Sequence, residues 1–233
     1  MDLLFFDLDG TLLDSESEIS NFTQEILVKL KLNNIAYSAA TGRTMLTGTD
    51  ILKGHGFHLP QVYSNGVTIW DPRNNSLSLE YLLGSSEISI IIETAGLQGI
   101  TPFVHAVSES EYSIYHAKPR HDIEKELISA RYQNTEAKIM SLGQLTDMSQ
   151  VTNVSMIGIA AAVEEVQREL NKNRNLVSYS GPAMEGSPYK WMDIHHCKAS
   201  KGAAVKKIKD TLGATNLICF GDRKSTRLNS SHQ

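Results

Sequence analysis

Cysteine is scarce, with only Cys197 and Cys219 in 233 residues. Two thiols cannot frame a disulfide scaffold, and such sparing use fits a reducing compartment. Neither sign of charge is in marked excess: 22 Lys and Arg stand against 26 Asp and Glu, a formal net charge of −4. That balance offers no basic footprint for nucleic-acid phosphates or for an anionic membrane surface. Long hydrophobic runs are missing too. The longest, Met156 to Val163, is far too short to span a bilayer. The first, Leu3 to Phe6, is cut at once by Asp7, so no secretory leader is expected there. A cytoplasmic protein with no nucleic-acid and no membrane partner is the expectation. Core-forming residues are present in ordinary amount, 41% apolar against 21% charged, enough for one large domain or two small ones.

The run from Leu3 to Leu8, broken only by Asp7, is continuous rather than alternating, which suits a strand covered on both faces. Ser15 and Glu18 have the spacing of a capping box, and Ile19, Phe22, Ile26, Leu27 and Leu30 follow at helical spacing. A second apolar run, Ile35 to Ala40, stops at Thr41-Gly42-Arg43, and a helix through Met45, Ile51 and Leu52 is predicted after it. The order β–loop–α–β–loop–α opens a doubly wound α/β domain. Past Val62 the pattern changes. Val67–Trp70 and Leu77–Leu82 read as strands around the turn cluster 71–75, rich in Asp, Pro and Asn.

From Gly84 to Pro188 the chain reads as helix, two strands (102–107 and 112–117), helix, strand (154–160), helix, strand. The hairpin signal Ser108-Glu109-Ser110-Glu111 implies antiparallel pairing, hence a separate α+β unit whose exit falls at Gly181-Pro182 and Ser187-Pro188. Beyond it Trp191–His195 reads as a strand, Lys201–Leu212 as a helix and Leu217–Phe220 as a buried strand, with Cys219 a packed core thiol. The expected architecture is an α/β core with a parallel sheet in two parts, 1–82 and 189–222, split by an α+β insert at 83–188.

Asp7-Leu8-Asp9-Gly10-Thr11 is the sharpest chemical feature. Asp-Gly between apolar residues also makes hairpin turns, but helical spacing follows here instead of a partner strand. Open α/β sheets bind ligands at the carboxyl ends of their strands. Residues two apart on a strand share a face, so Asp7 and Asp9 can converge if the strand persists. Two such charges repel unless a cation lies between them, and hard carboxylate oxygens favour Mg²⁺ over zinc.

These residues resemble the first motif of the haloacid dehalogenase-like superfamily of Mg²⁺-dependent phosphohydrolases. Ala40-Thr41-Gly42-Arg43 is similar to the second motif of its Cof-type branch, subfamily IIB, and Asn65-Gly66 also matches that branch. Ser200-Lys201-Gly202 resembles the third motif, and Phe220-Gly221-Asp222 the start of the fourth. The resemblance runs from Met1 to Asp222. It implies a Rossmann-like core carrying an inserted α+β cap of the type the family calls C2B, which would close over the core site. By the same resemblance Asp7 would attack phosphorus and form an aspartyl-phosphate, with Asp9 protonating the leaving oxygen and then activating water. Thr41 would bond the phosphoryl group through its hydroxyl and its N–H, and Lys201 would neutralise phosphate charge and restrain Asp7. Gly42, Arg43, Asn65 and Gly66 would contact substrate. Mg²⁺ would sit on Asp7, the carbonyl of Asp9, and Asp222. The implied activity is hydrolysis of small phosphorylated metabolites such as sugar phosphates or phosphorylated cofactors, by a monomer or weak homodimer.

Blander readings stand beside these. Thr41-Gly42 could simply end a strand, and Lys201 lies among Lys198, Lys206, Lys207 and Lys209 on what could be a solvated helix face. His195-His196-Cys197 alternates faces of a strand and cannot converge on a metal. His105, His116, Lys118 and Arg120 could face a substrate or only a strand edge. A phosphomutase or a non-catalytic relative would share the motifs. A receiver domain would place its acidic pair differently. The pattern departs from the family after Asp222, where the expected Asn-Asp falls on Ser225-Thr226 and neither supplies a carboxylate. The string from Asp222 to His232 resembles a translated sequencing adapter. The expectation is a C-terminally truncated chain with a non-native tail at 223–233 and a weakened metal site.

Overall fold

Leu3 and Phe5 point to one side of the first strand and Leu4 to the other, and all three are buried. The computed structural model, which describes residues 2–108, 111–183 and 186–221, shows why. Strand β1 (Asp2–Phe6) runs between two parallel neighbours, β2 (Ala36–Ala39) and β12 (Asn216–Phe220), in the order β12-β1-β2. On one face Leu4 packs with Leu8, Tyr37 and Leu27, the last from helix α1 (Asn21–Leu32). On the other, Leu3 and Phe5 pack with Val62 and with Ala204, Val205 and Ile208 of helix α6 (Lys201–Leu212). A strand sandwiched in this way needs apolar side chains at every position, which is the continuous run seen in the sequence.

Helix α2 (Met45–Leu52) follows β2, and β3 (Gln61–Tyr63) is reached through a parallel bridge between Ala40 and Val62. β3 pairs antiparallel with β4 (Thr68–Asp71), which pairs with β5 (Ser76–Leu79) around the expected turn. These elements belong to one compact unit, made of the chain up to Glu80 and from Ala199 onward.

Tyr81–Lys198 is a second unit. Its sheet has the order β10-β11-β9-β6-β7-β8, from Leu176–Pro182, Tyr189–His196, Val151–Ile159, Phe103–Val107, Tyr112–His116 and Lys138–Ser141 respectively. Helices α3 (Ser85–Leu97) and α5 (Ala160–Leu170) cover one face. There Ile88, Ile91, Val163 and Val166 meet Val104, Val154, Met156, Met192 and Ile194. Helix α4 (Asp122–Leu127) lies between β7 and β8 in the chain.

Several expectations need correction. Ser15 and Glu18 do not cap a helix. The Asp14 carboxylate accepts the N–H groups of Glu16 and Glu18, Ser17 adopts φ +63°, and the cap is Ser20, whose hydroxyl accepts the Thr23 N–H. An aspartate that bonds its own downstream backbone competes with helix start in this way. The strand at 138–141 went unforeseen, because it is short, partly exposed and, among the described residues, pairs only with β7 at the sheet edge. β11 pairs antiparallel with both β9 and β10 and lies in the second unit, beyond the exit expected at Pro188. β12 is an apolar edge strand rather than a buried one, and Cys219 is exposed, because among the described residues β12 has a partner on one side only. Glu109 and Ser110 of the expected hairpin and the tail 223–233 lie outside the described residues. No helix among the described residues is long and apolar enough to cross a membrane.

His105 is 2% exposed and faces protein, not solvent. It is hydrogen-bonded with the Tyr112 hydroxyl at 3.0 Å and the Ser155 hydroxyl at 2.8 Å. Ser155 in turn meets the Tyr132 hydroxyl at 3.1 Å. Nearby, Asp193 accepts from Asn153 at 2.7 Å and pairs with His195 at 2.9 Å. Burial raises the Asp193 carboxyl, but His195 and Asn153 outweigh it and hold the group below its ordinary value.

Burial pushes the His105 imidazole down to about 4. The unfolded chain, with histidine near its ordinary value of about 6.5, therefore takes up this proton first on acidification. Stability contributed by neutral His105 is complete above about pH 6.5 and is lost as pH falls towards 4, by on the order of 3 kcal/mol. Thermal melts of wild type and His105→Gln between pH 7 and 4 test this. The variant is expected to lose less stability across that window, and equal slopes contradict the assignment.

Candidate active site

β1 ends at Phe6, and the chain leaves it by a wide turn. Asp7 is still extended, with φ −69° and ψ 157°, and its N–H donates to the Phe220 carbonyl of β12 at 2.9 Å. Then Leu12 donates to the Asp7 carbonyl and Leu13 to that of Leu8, at 3.3 and 3.0 Å, with Gly10 at φ +71°. The strand therefore does not persist to Asp9, and strand periodicity is not what places the two carboxylates. The turn does.

The two carboxylates have different partners. Asp7 is 11% exposed, and its Oδ2 accepts from Lys201 Nζ at 2.7 Å while Oδ1 accepts the Leu8 N–H at 2.8 Å. Asp9 is 59% exposed, and both of its oxygens face the Arg43 guanidinium. Arg43 Nη2 donates to Oδ1 at 2.6 Å and Nε to Oδ2 at 3.0 Å, and Nη2 also reaches the Ser17 hydroxyl at 3.1 Å. Ser17 is a contact that no sequence signal announced.

Lys201 is the first residue of α6, with Ser200 as its cap, the Ser200 hydroxyl accepting the Ala203 N–H at 3.1 Å. A cation at a helix N-terminus opposes the helix dipole. The Asp7 carboxylate offsets that cost, and the pair is charge-assisted and partly shielded from water.

Thr41 follows β2 and is fully buried. Its N–H is engaged by the Val62 carbonyl at 2.9 Å, which continues the parallel bridge to β3. The expected phosphoryl contact through that N–H is thus taken by the sheet. The Thr41 hydroxyl accepts the Arg43 N–H at 3.0 Å and keeps its own proton to donate. Gly42 lies against the Asn65 side chain, where a β-carbon would sit 3.1 Å from Asn65 Oδ1. Gly66 lies against the peptide that joins Ser200 to Lys201. Asp7, Asp9, Thr41, Gly42, Arg43, Asn65, Gly66 and Lys201 thus meet where β1, β2 and β3 end and α6 begins. Asp222, the third expected metal ligand, lies outside the described residues.

Among the described residues no group of three or more His, Cys, Asp or Glu side chains could hold a metal. Since Asp9 turns both carboxylate oxygens to Arg43, the carboxylate left beside Lys201 is that of Asp7. Its oxygens are hard donors, which suit Mg²⁺ and not zinc.

Comparison with known proteins gives the family of the chain. A family model described as haloacid dehalogenase-like hydrolase matches residues 4–225. An HMP-PP phosphatase of Cronobacter sakazakii is 24% identical over 227 residues, 95% of this chain and 78% of the relative. The 5-amino-6-(5-phospho-D-ribitylamino)uracil phosphatase YcsE of Bacillus subtilis is 22% identical over 94% of this chain and 76% of its own length. Among solved structures, a haloacid dehalogenase-like hydrolase from Bacteroides thetaiotaomicron superposes with a TM-score of 0.71 at 18% identity, covering 94% of this chain and 80% of that one. A sugar phosphatase of subclass IIB superposes with a TM-score of 0.70 at 15% identity, with the same coverage.

The site's own contacts predict an order of stabilities. Thr41→Val leaves the partly buried Arg43 N–H without its acceptor, at a cost of about 1 to 3 kcal/mol. Arg43→Ala removes an ion pair whose acid is largely exposed and costs about 1 kcal/mol or less. Thr41→Ser stays close to wild type. Urea denaturation midpoints measure all three, and a larger loss for Arg43→Ala than for Thr41→Val contradicts the assignment.

Proposed function

The chain belongs to the haloacid dehalogenase-like hydrolase family, as a phosphatase of its Cof-type branch, and from that premise we propose that it hydrolyses small phosphorylated metabolites through an aspartyl-phosphate on Asp7. The observation that carries the reading is the 2.7 Å contact between Lys201 Nζ and Asp7 Oδ2. It puts a fixed cation beside the one carboxylate that leaves the sheet at the carboxyl end of its first strand, where open α/β sheets bind ligands.

In the proposed reaction an Asp7 oxygen attacks phosphorus and the bond from phosphorus to the leaving oxygen breaks. A carboxylate nucleophile splits one difficult displacement into two easier ones. Asp9 gives a proton to the departing oxygen and later takes one from the water that attacks the aspartyl-phosphate, releasing phosphate and restoring Asp7. To do so it must leave the Arg43 guanidinium that it faces at 2.6 Å. Arg43 is then free to meet the phosphoryl oxygens. The Thr41 hydroxyl donates to the phosphoryl group, and Lys201 holds Asp7 in line and offsets the charge that builds on phosphorus. Mg²⁺ would be held by the Asp7 carboxylate, the Asp9 carbonyl and Asp222, and would supply charge neutralisation and polarisation of the phosphoryl oxygens.

The substrate class rests on the relatives. Two are named as phosphatases of HMP-PP and of 5-amino-6-(5-phospho-D-ribitylamino)uracil, and one structural neighbour as a sugar phosphatase. We assign substrate choice to the α+β unit of residues 81–198, read as a C2B-type cap, and expect a monomer or weak homodimer in the cytoplasm.

The test is phosphate release from a panel of sugar phosphates and phosphorylated cofactors, with Mg²⁺ and with EDTA. Release is expected to need Mg²⁺ and to return when the ion is restored. Asp7→Asn is expected to lower it at least roughly 10³-fold, and Lys201→Met roughly 10²-fold to 10³-fold. Undiminished release from Asp7→Asn overturns the mechanism.

A further inference from the structure

Three consecutive residues, Ser64, Asn65 and Gly66, adopt φ +47°, +53° and +104°. All three are buried. Side chains rarely take left-handed backbone, and two in succession before a glycine are a costly arrangement that its surroundings must hold in place. The surroundings are the catalytic loops themselves. Ser64 N–H donates to the Arg43 carbonyl at 2.8 Å and Asn65 N–H to the Thr41 carbonyl at 3.1 Å. The Asn65 side chain packs on Gly42.

On its other side the loop meets the entry to α6. A β-carbon at Gly66 would lie 2.3 Å from the Ser200 carbonyl oxygen, 2.5 Å from its carbon and 3.0 Å from the Lys201 nitrogen. Those are backbone atoms that cannot rotate away. Glycine there lets two backbones touch, and the peptide it touches is the one that launches Lys201 towards Asp7.

We propose that Asn65 and Gly66 are positioning residues: they brace the start of α6 against the Thr41–Arg43 loop and so set where Lys201 meets Asp7. This takes the place of the substrate contact that the resemblance implies for them, and it rests on the proposed phosphatase reading. Both residues act through others. Gly66 acts through the Ser200–Lys201 peptide, and Asn65 through Thr41 and Gly42. Placement errors on the scale of an ångström are enough to slow catalysis about a hundredfold.

The experiment uses the full chain with Gly66→Ala, and Gly213→Ala as its control. Gly213 ends the same helix at φ +64° with nothing within 4 Å of an added β-carbon, so it carries the backbone strain without the close approach. Acetylation by acetic anhydride is followed peptide by peptide in a mass spectrometer, with Lys206, on the exposed face of α6, as internal reference. In Gly66→Ala the Lys201 rate is expected to rise several-fold relative to Lys206, while Gly213→Ala leaves it unchanged. In phosphatase assays Gly66→Ala is expected to lower kcat by about 10-fold to 100-fold with KM near wild type. It adds no further loss in a Lys201→Met background.

Should Gly66→Ala fail to fold, Asn65→Gly removes the side chain against Gly42 and relieves the left-handed strain. It is expected to lower kcat and raise Lys201 labelling in the same sense. Unchanged Lys201 labelling in a folded Gly66→Ala or Asn65→Gly protein overturns the brace, as does a raised KM with kcat intact. The labelling needs no turnover, so absent phosphate release would sink the phosphatase reading and leave the brace still measurable.

Discussion

A single ion pair ties the beginning of this chain to its late helix. Lys201 Nζ and Asp7 Oδ2 are 2.7 Å apart across 194 positions of sequence, and nothing local could bring them together. The pairing needs β1 and β12 side by side in parallel register, with Phe6 opposite Phe220, so that α6 can fold back over Leu3 and Phe5. It also needs the helix to start at Lys201, behind its Ser200 cap, and not one turn away. Taking two charges partly out of water is costly, and leaving one behind without the other costs more. The pair is therefore a demanding constraint on the first unit, and the cap at Ser200, the glycine at 66 and the hydrogen bond from Asp7 to Phe220 all serve its geometry.

The second unit follows a different logic. One face of its sheet is a plain apolar core against α3 and α5. Elsewhere it buries hydroxyls, imidazoles and a carboxylate, and meets the cost by linking them: Tyr112, His105, Ser155 and Tyr132 form one string, and Asn153, Asp193 and His195 another. Buried polar groups are tolerable when each has a partner. Two of the histidines that a sequence reader is tempted to assign to chemistry, His105 and His195, are here part of that interior.

Much of the first unit is legible in the chain. A strand buried on both faces has little choice but a solid apolar run, and Asp7 at its end stands out because a lone carboxylate interrupts that run. The Thr-Gly-Arg stop after β2 and the Ser-Lys-Gly start of α6 are legible for the same reason, since caps and turns use a short list of residues. Other features are not. Ser15 and Glu18 have the right spacing for a cap, yet Asp14 outcompetes them locally. Strand pairing decided that 189–196 lies in the second sheet and that Cys219 is exposed, and pairing partners are not encoded in any short window.

Taken alone, the order of residues determined the α/β class of the first unit, because burial on two faces and helix initiation leave strong local signatures, and the resemblance of its motifs pointed to Asp7 and to Lys201 as its partner. Only the tertiary structure decided that Asp9 faces Arg43, that the Thr41 N–H belongs to the sheet, and that Gly66 presses on the peptide before Lys201. Those facts depend on where separate loops come to rest against one another, and that is settled by packing over the whole unit, not by the residues of any one loop.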